Sequence, residues 1–121
     1  MIRKLLRLFT TTASERAYFD TCAERPVLSD TDFHQRFYAD SEVTPETCEG
    51  VRRVLCEQLR MCNTLPDDNV ARIFDDVDVA EICFEIGEEF GVRFTDEMTT
   101  IDGTVDSLIR TTHQLTQGRP T

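Results

Sequence analysis

Phe74–Val92, FDDVDVAEICFEIGEEFGV, is the stretch whose reading decides the fold. Val79, Ile82, Cys83, Ile86 and Phe90 recur at helical spacing and gather on one face. Asp75 is a fitting N-cap, with Asp76 and Asp78 in the first turn, where the helix dipole favours negative charge. Gly91 follows Phe90 as a C-terminal stop. At about 100° per residue, Val77 and Phe84 point away from the core stripe, and Asp78, Glu81, Glu85 and Glu88 lie beside them. Like charges at Glu81/Glu85 and Glu85/Glu88–Glu89 face each other with no cation between them. Each such pair costs a helix about 0.2–0.5 kcal/mol. A solvated acidic face accounts for the acids but not for Phe84. An apolar spot ringed by acids fits a docking surface for a basic partner.

The flanking sequence reads as helices. Thr44 caps a helix with Pro45 at its first position and an apolar stripe of Cys48, Val51, Leu55, Leu59 and Cys62. Its charges are compensated, Glu49 preceding Arg53 by four residues and Glu57 preceding Arg60 by three. The chain balances this helix surface and leaves the later one unbalanced. Leu65–Phe74 reads as a loop anchored by Val70 and Ile73. After Gly91, Val92 and Phe94 turn inward, and Thr104 caps a last helix with Val105, Leu108 and Ile109 inside. Upstream, Ile2, Leu5, Leu6 and Phe9 form a short amphipathic helix with Arg3, Lys4 and Arg7 opposite. That segment fits the chain's own acidic half better than a membrane. A second short helix spans Ser14–Glu24 before Pro26, and Ser29 with Asp32 resembles a capping box ahead of Phe33, Phe37 and Tyr38. The class is all-α: a helical bundle at 43–116, an N-terminal helical extension at 1–42 and a flexible tail at 117–121.

Charge is unevenly spread. The net is −10, and residues 67–106 hold 13 Asp/Glu against 2 Arg. Such a surface repels nucleic-acid phosphates and anionic lipid and attracts basic proteins. The five cysteines, at 22, 48, 56, 62 and 83, include no CxxC, so no zinc spacing exists. Cys48, Cys56, Cys62 and Cys83 fall on or near apolar stripes and read as buried free thiols of a cytoplasmic protein. No apolar run reaches the length of a membrane span. His34 and His113 are isolated and read as surface or cap residues. Asp67, Asp68, Asn69, Asp75, Asp76 and Asp78 lack the ligand alternation, central Gly and terminal Glu of an EF-hand loop. No catalytic or phosphate-binding motif is present, and the chain reads as a non-enzyme and a monomer.

In their order, LPDD (Leu65–Asp68), DDVDVAE (Asp75–Glu81), EEFGV (Glu88–Val92) and TVDSLI (Thr104–Ile109) resemble an acyl carrier protein. The resemblance covers about seventy residues, from Pro45 to Leu115, and implies an acyl-carrier-like four-helix bundle. In that family a serine opening the second helix carries 4'-phosphopantetheine. Aligning EEFGV places Asp76 at the serine's position, followed by Val77. A carboxylate cannot replace the hydroxyl that accepts the group, so the expectation is no cofactor there. The family's acidic recognition face corresponds here to Val77, Asp78, Glu81, Phe84, Glu85 and Glu88. These are the expected partner-binding residues, for a partner with a basic surface. Asp106-Ser107-Leu108 spells the carrier motif literally, but only thirteen residues follow Leu108 and Thr104-Val105 matches the start of the last helix. Ser107 therefore reads as an early-helix serine. The alternative expectation is a working carrier with 4'-phosphopantetheine on a non-standard serine.

Overall fold

The computed structural model describes residues 12–74, 77–95 and 102–117. Among these, six helices and no strand are present: α1 (Ala13–Glu24), α2 (Asp30–Phe37), α3 (Pro45–Leu59), α4 (Val70–Ile73), α5 (Val79–Phe90) and α6 (Val105–Gln117). The first nine residues and the TDEM segment after Phe94 were expected to be helical and turn-forming. Residues 1–11 and 96–101 lie outside the described residues, as do Asp75, Asp76 and 118–121.

Helix starts follow hydroxyl, carboxylate and amide chemistry. Thr12, Ser29, Thr44 and Asn69 accept from the N–H three residues on, which satisfies one of the donors each helix leaves open. Thr104 does the same for the Ser107 N–H at 3.1 Å. Pro45, with no N–H to lose, opens α3.

Helix α3 is the axis. It packs against α2 on one side and α5 and α6 on the others, while α1 rests on α4. Val51, Val54, Leu55 and Leu59 of α3 meet Ile82, Cys83 and Ile86 of α5 and Val105, Leu108 and Ile109 of α6 in one core. Burying each aliphatic contributes about 1.5–3 kcal/mol. An exposed ion pair contributes under about 1 kcal/mol, so this core sets the arrangement. Gly50 lets α3 approach α5 closely, because a Cβ there would sit 2.3 Å from Phe90 Cζ.

Four sequence expectations are corrected. The central helix does not begin at Asp75. It begins at Val79, and the Asp78 carboxylate accepts from the Ala80 N–H at 2.9 Å. Phe74, buried at 1 % exposure, instead ends the single-turn helix α4 in extended backbone, so the tripled acids offered three candidate caps of which the last is used. Val77 consequently precedes the helix and half-buries against the core rather than pointing away from it. Helix α3 stops at Leu59 because Arg60 turns left-handed (φ 61°). Cys62 therefore leaves the stripe, and the turn brings its Cα within 4.4 Å of that of Cys56, with which it forms a disulfide. Cys48 and Cys83 are buried free thiols as expected. Last, His113 is buried, not at the surface. It lies four residues after Ile109 on the inward stripe of α6, and its Nδ1 has no hydrogen-bond partner among the described residues.

Polar stitching joins the extension to the bundle. The Asp68 carboxylate is nearly enclosed. It accepts two bonds from the Arg25 guanidinium at 2.8 Å each, one from the Tyr18 hydroxyl at 3.0 Å and one from the Leu65 N–H at 3.0 Å. The Arg52 guanidinium, buried on α3, donates to Asp30 at 2.7 Å, to the Leu28 carbonyl and to Thr64, and lies over the Phe33 ring. On α6, Asp106 accepts from the Tyr38 hydroxyl at 2.6 Å and from Arg110. Tyr18, Phe33 and Tyr38 thus enter the same core as α3, α5 and α6.

Candidate functional site

Helix α5 presents two faces of unlike chemistry. Inward, Ile82, Cys83 and Ile86 are buried and Val79 and Phe90 are half-buried, as the spacing requires. Outward, Phe84 is 62 % exposed, next only to Val27 among large apolar side chains of the described residues. Glu81 and Glu88 are exposed beside it and Glu85 is half-exposed. Asp78 is exposed at the helix mouth, occupied as its cap. Val77 does not share this face. Asp76, the residue aligned with the family's serine, lies outside the described residues.

The acids are unequally served. Glu89 pairs with Arg53 of α3 at 2.6 Å, and Arg53 also meets Glu49 at 3.4 Å. The bond to Glu89 is the main reason the Arg53 guanidinium holds its proton more tightly than usual. Among the described residues, neither Glu85 nor Glu88 has an ion-pair partner. The counter-charge from α3 therefore reaches the flank of α5 and stops short of the ridge that carries Phe84.

A groove of about 280 Å³ runs beside Phe84, between α5 and the chain returning after it. Ala80, Cys83, Phe84, Gly87, Val92 and Phe94 line it, with Glu88 and Arg93 at its rim. Gly91, in the left-handed region at φ 68°, ends the helix and folds residues 92–94 back along it. The Val92 N–H donates to the Gly87 carbonyl at 3.0 Å. This return strap was legible only as two inward-turning apolar residues; the groove it makes was not.

The Cys83 thiol at the groove's floor is no nucleophile. Burial first, and the Asp78 charge second, push it up to about 11. Burial pushes the Cys48 thiol up to about 12. Thiolates are the reactive form, so both stay inert near neutrality.

The chain's four serines are all occupied in local structure. Ser14 donates to the Ile73 carbonyl at 2.9 Å, Ser29 caps α2, and Ser41 donates to the Tyr38 carbonyl at 2.8 Å. Ser107 donates to Asp102 at 2.6 Å and accepts from Thr104 at 3.0 Å. That bond to Ser107 is the main cause of the Asp102 carboxyl lying below its usual range. The DSL tripeptide is thus part of the cap that starts α6.

His34 Nε2 lies 2.7 Å from the Val43 carbonyl and fastens the α2–α3 connection. Among the described residues no three His, Cys, Asp or Glu side chains gather as a metal site. No described helix is long and apolar enough to cross a membrane. No protein-family model, curated protein or solved structure matches the chain.

Proposed function

We propose that the chain is a non-enzymatic, acyl-carrier-like protein-interaction module that docks a basic-surfaced protein on the outward face of α5 and carries no prosthetic group at the usual position. One observation carries this reading: Phe84 stands 62 % exposed on a ridge whose acids Glu85 and Glu88 have no counter-charge among the described residues. A ridge shaped only for folding stability would lose the aromatic and gain lysines. Glu81, Glu85, Glu88 and Phe84 are the contacts, with Asp78 at the entrance. The partner presents Arg or Lys around a shallow apolar pocket. The sequence resemblance supports the carrier-like part, and the order α3, α5, α6 is the order it implies for long, acidic and last helices. The reading is of a monomer with no nucleic-acid or membrane ligand.

The rival within the same family, 4'-phosphopantetheine on another serine, is disfavoured by the structural employment of Ser14, Ser29, Ser41 and Ser107. Incubation with a permissive phosphopantetheinyl transferase, read by intact mass, separates the two. The docking reading expects no mass gain, and a stoichiometric gain overturns it. Docking itself is tested by quantitative capture on immobilised wild type and Glu85→Lys/Glu88→Lys. Partners held by the first are expected to be lost from the second, and an identical set at low salt counts against the reading.

A further inference from the structure

The disulfide between Cys56 and Cys62 crosses the C-terminal turn of α3, and its two ends sit in unlike surroundings. Cys62 is exposed and Cys56 is half-buried. Of the other three cysteines, Cys48 and Cys83 are buried and Cys22 is half-buried, all as free thiols. A thiol arriving from solution therefore meets the bond from the Cys62 side.

The loop that follows is a seam between the extension and the bundle, and Asn63 carries most of it. Its carbonyl accepts from the Arg25 guanidinium at 3.1 Å, its Oδ1 accepts from the Leu28 N–H at 3.2 Å, and its Nδ2 donates to the Pro26 carbonyl at 3.1 Å. Beside it, the Thr64 hydroxyl accepts from Arg52 Nε at 3.1 Å. The turn that delivers Asn63 passes through Arg60 at φ 61°, a left-handed conformation that favours glycine. Backbone bonds from the Arg60 N–H to the Cys56 carbonyl at 2.9 Å and from the Met61 N–H to the Leu55 carbonyl at 3.2 Å close it, and the buried Met61 anchors it. The disulfide spans the same turn, so it restrains the opening of a backbone that its own residue does not favour.

We propose that the Cys56–Cys62 disulfide is a redox-exchangeable staple, opened by a dithiol at Cys62, and that its state sets how firmly the linker between α1 and α2 is held to the bundle. A thiolate of the dithiol attacks the Cys62 sulfur. The S–S bond breaks, and Cys56 leaves as a thiolate that takes a proton from water. The second thiol of the dithiol, once deprotonated, attacks the reagent's own sulfur in the mixed disulfide and releases Cys62, which is protonated in turn. Two electrons pass to the protein, which gains two thiols, and the dithiol becomes a disulfide. Met61, Thr64 and the two backbone bonds remain, so the reduced chain keeps its fold. What it loses is the constraint on the opened loop, which for so short a ring amounts to about fiftyfold.

Amide hydrogen exchange of the full chain, oxidised and after treatment with dithiothreitol, tests this. The Leu28 amide, which donates to Asn63, should exchange about ten- to fiftyfold faster in the reduced chain, while the amides of Ile82 and Ile86 in α5 keep their rates. Alkylation under native conditions, followed by peptide mapping, should label Cys56 and Cys62 after reduction and spare the buried Cys48 and Cys83. Cys56→Ser/Cys62→Ser without reductant should reproduce the exchange of the reduced wild type. Equal Leu28 exchange in the oxidised and reduced wild-type chains overturns the proposal. So does a disulfide that dithiothreitol reduces only once the chain is unfolded. Neither result touches the docking reading of α5.

Discussion

Two carboxylate regions of this molecule can be set side by side. Around α1, α2 and the loop before α4, acids are spent inward. Asp68 is gripped by Arg25, Tyr18 and the Leu65 N–H, and Asp30 takes the buried guanidinium of Arg52. Along the outer ridge of α5, Glu85 and Glu88 have no counter-charge among the described residues and flank an exposed phenylalanine. Carboxylates hold the fold in one place, and in the other they have no counter-charge among the described residues. An arginine does reach this helix on its flank, where Arg53 pairs with Glu89. We read the ridge of Phe84, Glu85 and Glu88 as serving binding rather than folding.

That contrast breaks most visibly at Asp68. Asp68→Ala leaves Arg25 and Tyr18 without their acceptor in a nearly closed site, and should destabilise the fold by about 3–5 kcal/mol in urea unfolding. Gly50→Ala should cost about 1–3 kcal/mol, since the new methyl meets the Phe90 ring, offset by up to about 1 kcal/mol of helix propensity. The buried thiols sharpen the comparison through pH. Cys48 and Cys83 have folded-state values of about 12 and about 11 against an ordinary 9.0, so the folded chain keeps protons that the unfolded chain releases. Their contribution is complete below about pH 9 and is lost as pH climbs toward 11 and 12. Chemical denaturation between pH 8 and pH 11 should show the midpoint falling, and Cys48→Ala/Cys83→Ala should flatten that slope. The smallest effect on folding belongs to Glu85→Lys/Glu88→Lys. It should change stability by no more than about 0.5 kcal/mol, toward stabilisation, because it relieves like-charge pairs. A large loss of stability would show that these acids do hold the fold.

The parts of the fold governed by period and capping were legible. The stripes of α3, α5 and α6 and the capping roles of Ser29, Thr44, Thr104 and Gly91 follow from local chemistry. What escaped depends on where the chain returns. Three aspartates before Val79 could each cap a helix, and it is the Asp78 side chain that accepts from the Ala80 N–H. Cys62 looked like one more turn of α3 until Arg60 reversed the backbone and carried it to Cys56. Asp68 and Arg52 carry no local signal of burial, since their partners lie 43 and 22 residues away in Arg25 and Asp30. At the candidate site, Phe84 and its acids were visible as an outward face, whereas Val77 was misplaced by extending the helix one turn too far. The groove became apparent only with the strap of Val92 and Phe94 in place.

The central claim is that the α5 ridge exists to be touched by another protein. Phe84→Ser tests it most directly, because the side chain is exposed and its removal leaves the core of Ile82, Cys83 and Ile86 in place. Capture of partners on the wild-type chain and on this variant, at matched melting temperature, should show partners retained by the first and released from the second. Retention of the same partners with the same affinity on both would contradict the account.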